Sequence, residues 1–116
     1  MPQRHFASFM SFCMRKIKNR LPPLHPGEIL REEFLGPLNI SAGALAKAMG
    51  VPRTRVERIA AETSGITADT ALRLSKALGT SAELWLNLQT RYDVETAERA
   101  IGKDLAKIAR VTDDAA

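Results

Sequence analysis

The chain has 116 residues, 45% hydrophobic and 26% charged, which is typical of one compact domain with a single core. Its formal net charge is +4, yet residues 1–20 hold five basic residues and no acid, so residues 21–116 hold 12 basic and 13 acidic residues. The single Cys13 excludes an internal disulfide, and no apolar run approaches the roughly 20 residues that cross a bilayer. We therefore expect a cytoplasmic protein without membrane spans, in which affinity for an acidic partner depends on local clusters of charge.

Residues 1–21 carry an apolar patch followed by the basic run RKIKNR (15–20), the reverse of the order in a secretory signal. We expect a flexible basic tail that is either solvated or follows a nucleic-acid backbone. Met10 and Met14 are alternative translation starts to Met1.

Two short helices are predicted first. Pro26 suits the first turn of helix 1, and Gly36-Pro37 ends it. Ser41 can cap helix 2 with its side-chain oxygen. The inward positions are Ile29, Leu30, Phe34 and Leu35 in helix 1 and Leu45, Ala46 and Met49 in helix 2.

Three further helices follow up to residue 92. Gly50 supplies the left-handed residue that ends helix 2, and Pro52 opens helix 3 with its preset φ. Thr67 caps helix 4, and Thr80 with Glu83 forms the reciprocal capping pattern of helix 5. The apolar positions are Val56 and Ile59 in helix 3, Ala71, Leu72, Leu74 and Leu78 in helix 4, and Leu84, Trp85, Leu88 and Tyr92 in helix 5.

No window shows the period-two alternation of a sheet, so the predicted fold is all-α with five or six short helices. We predict a main domain over residues 22–92. Residues 93–116 form a C-terminal helical extension in which Ala97, Ile101, Leu105 and Ile108 share a face and Gly102 weakens the helix.

Helices 2 and 3, joined by a short turn that contains Gly50, have the sequence form of a helix-turn-helix, in which the second helix enters the major groove of DNA. The small residues Ala46 and Gly50 permit a close crossing of the two helices. Since Val56 and Ile59 face the core, positions 53, 54, 55 and 58 point outward by the rotation of 100° per residue.

The exposed face of helix 3 offers the chemistry of DNA recognition. An arginine can make bidentate bonds to guanine or clamp a phosphate, and a threonine can contact a phosphate or the methyl group of thymine. Helix 2 adds a hydroxyl at its positive end and one lysine for backbone contacts. The candidate DNA-binding residues are Ser41, Lys47, Arg53, Thr54, Arg55 and Arg58.

The alternative is a solvated surface helix, because three arginines beside Glu57 are also typical of an exposed face. Glu57 opposes phosphate, although it can accept a hydrogen bond from cytosine or pair with Arg53 one turn back.

Trp85, Leu88 and Tyr92 also have two interpretations. They lie either at the outer edge of the core or along a dimer interface. The interface is favoured by their one-turn spacing, which gives a self-complementary apolar strip. It is also favoured because a helix-turn-helix protein usually reads two half-sites on DNA, which requires two subunits.

No catalytic or metal-binding constellation can be assembled. His5 and His25 have no ligands at suitable spacing and are expected at the surface, and Glu28, Glu32 and Glu33 are explained by the dipole of helix 1. We predict no enzyme activity, no metal site and no cofactor.

Three segments resemble a known family: HPGEILREEFL (25–35), ALAKAMGVP (44–52) and GITADTALRLSKALGTSAELWLNLQTRYD (65–93). They are similar to HigA-type antitoxins, also called virulence-associated protein I, of the XRE group. The resemblance implies an all-α, five- to six-helix XRE/lambda-repressor-like helix-turn-helix domain. It also implies a homodimer that binds its own operator DNA and neutralises a cognate RelE/HigB-like, mRNA-cleaving toxin by forming a complex.

The sequence departs from the family pattern at three places. Ala42 stands where many members have a DNA-binding Gln, Glu57 where Asn is frequent, and Ala61-Glu62 where Asn-Gly usually ends the helix. These departures leave open a member with an altered operator, a toxin-capturing module that binds DNA weakly, and an orphan regulator without a toxin.

Overall fold

Five helices make up the regular structure of residues 22–112, the part of the chain that the computed structural model describes. They are α1 (Pro26–Ile29, continued as a π-helix over Leu30–Leu35), α2 (Ala42–Met49), α3 (Arg53–Ala60), α4 (Ala68–Leu78) and α5 (Ala82–Leu105). The all-α prediction is confirmed for this range. The predicted N-terminal tail, residues 1–21, lies outside the described residues.

Side-chain caps fix where the helices begin. The predicted caps of α2 and α4 are confirmed: Ser41 Oγ accepts from the Ala44 N–H at 3.0 Å, and Thr67 Oγ1 accepts from the Thr70 N–H at 3.3 Å. The predicted cap of α5 at Thr80 is wrong, because Ser81 Oγ accepts from the Leu84 N–H at 3.1 Å. The Thr80 hydroxyl lies one residue too early and instead accepts a 2.8 Å bond from the Trp85 indole N–H.

The start of α1 sits directly on the end of α3. His25 caps α1 through Nδ1, which accepts from the Gly27 N–H at 2.9 Å. A Cβ on residue 27 would lie 1.8 Å from the Ile59 carbonyl oxygen, so only glycine fits this contact. The expectation that His25 lies at the surface is wrong, because the residue is only 4% exposed and its ring meets Tyr92 of α5 edge-on at 4.7 Å between centroids. This junction ties α1, α3 and α5 together.

One core joins all five helices. Trp85 of α5 is fully buried against Phe34, with ring centroids 5.5 Å apart. Leu72 of α4, predicted on or near the inward face, is 60% exposed and lies outside the core. The buried apolar residues are Leu24, Ile29, Leu30, Phe34, Leu45, Ala46, Met49, Val56, Ile59, Ile66, Ala71, Leu74, Leu84, Trp85 and Leu88.

Helix α5 continues through residue 93, where the C-terminal extension was predicted to begin. Its backbone departs from helical geometry at Ile101 (φ −119°, ψ 19°), next to the predicted weak point at Gly102. The apolar residues of the extension do not pack on the core: Ile101 is 45% exposed, Leu105 42% and Ile108 70%. The extension therefore adds apolar surface rather than core.

Gln89 fastens the loop after α3 to α5. Its Oε1 accepts from the Ile66 N–H at 2.6 Å, and its amide nitrogen donates to Asp93 at 2.9 Å. A Cβ on residue 65 would lie 2.9 Å from Gln89 Oε1, so Gly65 lets the loop approach the amide. The Gln of the motif WLNLQ thus has a structural role, because it satisfies a backbone N–H that the loop would otherwise leave without a partner.

Burial of the His25 imidazole lowers its pKa from the ordinary 6.5, while nearby Glu62 and Asp93 act in the opposite direction and Arg31 adds to the lowering. The unfolded chain therefore takes up a proton first as the pH falls below about 6.5. We expect the stabilisation from neutral His25 to be complete above that pH and to be lost as the pH falls through the lowered folded-state pKa. Urea unfolding at pH 7.5 and pH 5 measures the loss.

The matched variant is His25→Asn, which keeps a side-chain acceptor at the cap but does not titrate in this range. We expect its free energy of unfolding to change less with pH than that of the unmodified chain. Identical pH dependence of the two proteins would contradict the role given to His25.

Candidate nucleic-acid interface

The turn between α2 and α3 is built on left-handed backbone at Gly50 (φ 72°, ψ 35°), as predicted. The Gly50 N–H bonds to the Lys47 carbonyl at 3.2 Å, and the Val51 N–H bonds to Ala46 at 3.0 Å. These two bonds form the Schellman motif, which ends α2 sharply. Pro52 (φ −64°) then stands immediately before α3, and its carbonyl accepts from the Arg55 N–H at 3.0 Å.

Helix α3 buries one edge and presents the other. Val56 is 0% and Ile59 1% exposed. The side chains of Arg53, Thr54 and Arg58 are exposed, and that of Arg55 is half-buried. The rotation of the helix is therefore the predicted one, and four of the candidate residues face outward.

Acidic side chains pair with two of the arginines. Arg53 Nε lies 3.2 Å from Glu57 Oε2, the pairing that the sequence offered as one role for Glu57. Arg55 Nη1 lies 2.8 Å from Asp69 Oδ2 in the first turn of α4. The Arg55 hydrogen bond, followed by that from Arg73, lowers the pKa of the Asp69 carboxyl. The exposed face of α3 thus carries cations whose directions are partly fixed by carboxylates.

Arg73 connects this ion pair to the turn. Its Nε lies 3.0 Å from Asp69 Oδ2, and its Nη1 donates to the Met49 carbonyl at 2.8 Å. An open groove of about 530 Å³ runs beside the pair, between α3 and the start of α4. Asp69 and Arg73 were not predicted from the sequence, although their i, i+4 spacing is a signal of pairing within α4.

The helix 2 candidates lie at its two ends. The Ser41 oxygen is occupied as a cap, but the side chain is exposed and its O–H remains a donor. A Cβ on residue 43 would meet Arg53 Cδ at 3.3 Å and Ser41 Oγ at 4.0 Å, so Arg53 and Ser41 both border Gly43. Lys47 is exposed in the last turn of α2.

The proposed dimer residues are mostly internal. Trp85 is 0% and Leu88 3% exposed within the single chain, which leaves them almost no surface for a second subunit. Burial therefore corrects the interface assignment of these two residues in favour of the core. Tyr92 is half-buried, and its assignment stays a prediction.

The end of α3 departs from the usual pattern of glycine at a left-handed position. Glu62 takes positive φ (66°), while its N–H bonds to the Ile59 carbonyl and the Thr63 N–H to Arg58, both at 2.9 Å. This is the same motif that Gly50 completes in α2. Arg31 supports it by donating to the Ala60 carbonyl and pairing with Glu62 at 3.2 Å.

Other kinds of site are not found within residues 22–112. No group of three or more His, Cys, Asp or Glu side chains there is arranged to hold a metal ion. No helix of that range is long and apolar enough to cross a membrane.

Two short helices that cross at a left-handed glycine, with arginines on the exposed face of the second, define a helix-turn-helix protein. In agreement, residues 30–85 match the helix-turn-helix family. Virulence-associated protein I of Dichelobacter nodosus is 56% identical over 82 residues, which are 71% of this chain and 76% of that protein. Antitoxin HigA-1 of Vibrio cholerae is 44% identical over 81 residues, which are 70% of this chain and 74% of that protein.

A solved structure gives the same result. Pseudomonas aeruginosa antitoxin HigA with the higBA promoter is 46% identical, covers 78% of this chain and 99% of its own, and superposes with a TM-score of 0.74. The chain belongs to the family of HigA-type antitoxins and virulence-associated protein I. This is a family of helix-turn-helix antitoxins and regulators rather than of enzymes.

The strained end of α3 can be measured with two substitutions. Glu62→Gly and Glu62→Ala both remove the ion pair with Arg31, but only alanine has a Cβ that opposes positive φ. We expect the free energy of unfolding in urea to be about 1 kcal/mol higher for the glycine variant than for the alanine variant. Equal stabilities would show that this position is not strained.

Proposed function

We propose that this chain is a DNA-binding antitoxin that represses its own operon as a dimer and neutralises an mRNA-cleaving, RelE/HigB-like toxin by complex formation. One observation carries the DNA-binding part: the turn at Gly50 presents the arginine-bearing face of α3 to solvent while Val56 and Ile59 hold the opposite edge in the core. The relative whose structure was solved with the higBA promoter has this same fold.

In the proposed complex, the first turn of α3 reads base edges. Arg53, Thr54 and Arg55 enter the major groove, with Arg58 one turn further along. Ser41 and Lys47 donate to phosphates on either side. The pair between Arg53 and Glu57 is a surface ion pair worth about 0.2–1 kcal/mol, whereas a bidentate contact to guanine contributes about 1–3 kcal/mol, so exchange of one for the other is favourable.

The dimer follows from the geometry of the duplex. Helix-turn-helix proteins read half-sites about 34 Å apart, and one such domain presents one reading helix. Since Trp85 and Leu88 are buried, a second copy must use other residues. The distal part of α5 offers exposed apolar side chains, with Val94 at 50% and Ile101 at 45%, beside the half-buried Tyr92.

The toxin-binding part rests on the relatives. Two of them are antitoxins by name, and the alignment with this chain spans most of the length of each. Because operon DNA and a toxin made in the same cell are both met in the cytoplasm, the proposed function implies that the protein acts there.

Arg55→Ala tests the reading helix. We expect it to weaken binding to the DNA upstream of its own gene by about 1–3 kcal/mol and to relax the base preference at one position. Fluorescence anisotropy at about 0.15 M salt, with the operator, its single-base variants and a scrambled duplex, measures both effects. Arg110→Ala removes an exposed arginine beyond the end of α5 and is expected to change neither strongly. Unchanged affinity and preference in Arg55→Ala would refute the assignment of α3 as reader.

Co-expression with the product of the adjacent gene tests toxin capture. We expect a small basic protein to co-purify with the full chain at physiological salt after nuclease treatment. We also expect co-expression of the full chain to relieve the growth inhibition that this small protein causes. Operator binding without any captured neighbour would favour the orphan regulator instead.

A further inference from the structure

We propose that Asp69 is a specificity-determining positioning residue: its carboxylate holds the Arg55 guanidinium from behind, so that the arginine reads a base edge instead of turning toward phosphates. This inference rests on the proposed DNA-binding function. It concerns a residue of α4 that was not predicted from the sequence and that lies outside the reading helix.

The geometry of the pair leaves the reading edge of the arginine available. Arg55 uses only Nη1 to reach Asp69 Oδ2, at 2.8 Å. A guanidinium has five N–H donors in a fixed fork, so the Nε and Nη2 edge can still make the bidentate contact that guanine O6 and N7 require. Arg55 therefore does not have to leave Asp69 in order to bind a base.

Asp69 is itself held in place by a second arginine. Arg73 donates from Nε to the same Oδ2 at 3.0 Å and from Nη1 to the Met49 carbonyl at 2.8 Å. The contacts form a continuous series from the end of α2 through Arg73 and Asp69 to Arg55. A side chain with many rotamers is thus tied to the backbone of the helix-turn-helix unit, and the entropy lost on ordering it at the interface is reduced.

The charge of Asp69 has a second effect. Phosphates attract any arginine regardless of base sequence, and this attraction grows with each uncompensated positive charge. The two arginines and one carboxylate together carry a formal charge of +1, so the cluster attracts the backbone less than two free arginines would. Hydrogen-bond matching to a base is weakened less, because it depends on direction. Asp69 should therefore lower general affinity while raising the preference for the operator.

The test is Asp69→Asn in the full-length chain, measured by anisotropy on the operator and on a scrambled duplex. Asp69 is 57% exposed in its side chain, so the variant is expected to fold, which a thermal melt checks. We expect binding to scrambled DNA to tighten on the order of fivefold and the ratio of operator to scrambled affinity to fall on the order of fivefold to tenfold.

Glu32→Gln is the matched control. Glu32 also lies beside an arginine, Arg31 at 3.4 Å, and is exposed like Asp69, so the substitution changes the net charge equally, but on α1. Its operator-to-scrambled ratio should stay within about twofold of the unmodified value.

A double-mutant cycle shows whether Asp69 acts through Arg55. In the Arg55→Ala background, Asp69→Asn should leave the ratio unchanged. The proposal is overturned if the ratio does not fall in the single variant, or if it falls equally without Arg55. Absence of operator preference in the unmodified chain would instead refute the proposed function itself, so the two failures are distinguishable.

Discussion

The left-handed backbone at Gly50 is the constraint on which the orientation of α3 depends. A residue with a Cβ at φ 72° would add about 1–2 kcal/mol of strain, and its Cβ would also lie 3.3 Å from the Arg73 guanidinium. Arg73 in turn occupies the Met49 carbonyl that the end of α2 leaves without a helical partner. The turn is therefore fixed by backbone conformation and by a cation from α4 together. The orientation of α3, and with it the placement of its exposed face, depends on this corner.

Carboxylates shape the basic face as much as the arginines do. Glu57 pairs with Arg53 within one helix, whereas Asp69 reaches Arg55 from a different helix and is held by Arg73. The first pair can open at little cost because both partners are exposed. The second belongs to a network anchored on the backbone. Glu57, which counted against DNA binding in the sequence, thus pairs with a cation of the same face, and Asp69, which the sequence did not single out, pairs with another.

The sequence predicted the features that depend on neighbouring residues. The caps at Ser41 and Thr67, the reversal at Gly50 and the rotation of α3 each follow from local rules of hydrogen bonding, glycine conformation and helical period. Their side chains and backbones interact within a few positions along the chain. Such contacts can be inferred before the fold is known.

Features that depend on tertiary packing were missed or misjudged. Arg55 and Asp69 are 14 positions apart and meet only because α4 packs beside α3. Thr80 and Ser81 are equally good caps by composition, and the choice is made by the indole that Thr80 binds. Periodicity placed Trp85 on an apolar face but did not reveal that one chain alone would cover it completely. Glu62 at positive φ depends on support from Arg31, which lies 31 positions away in sequence.

The burial of Trp85 has a practical consequence for spectroscopy. It is the single tryptophan of the chain, fully enclosed beside Phe34, with its indole nitrogen bound to Thr80. Its emission should be blue-shifted, as for an indole in hydrocarbon surroundings, and should move to longer wavelength only when the core opens. The protein thus carries an intrinsic fluorophore that reports on the integrity of its interior and is shielded from whatever binds outside.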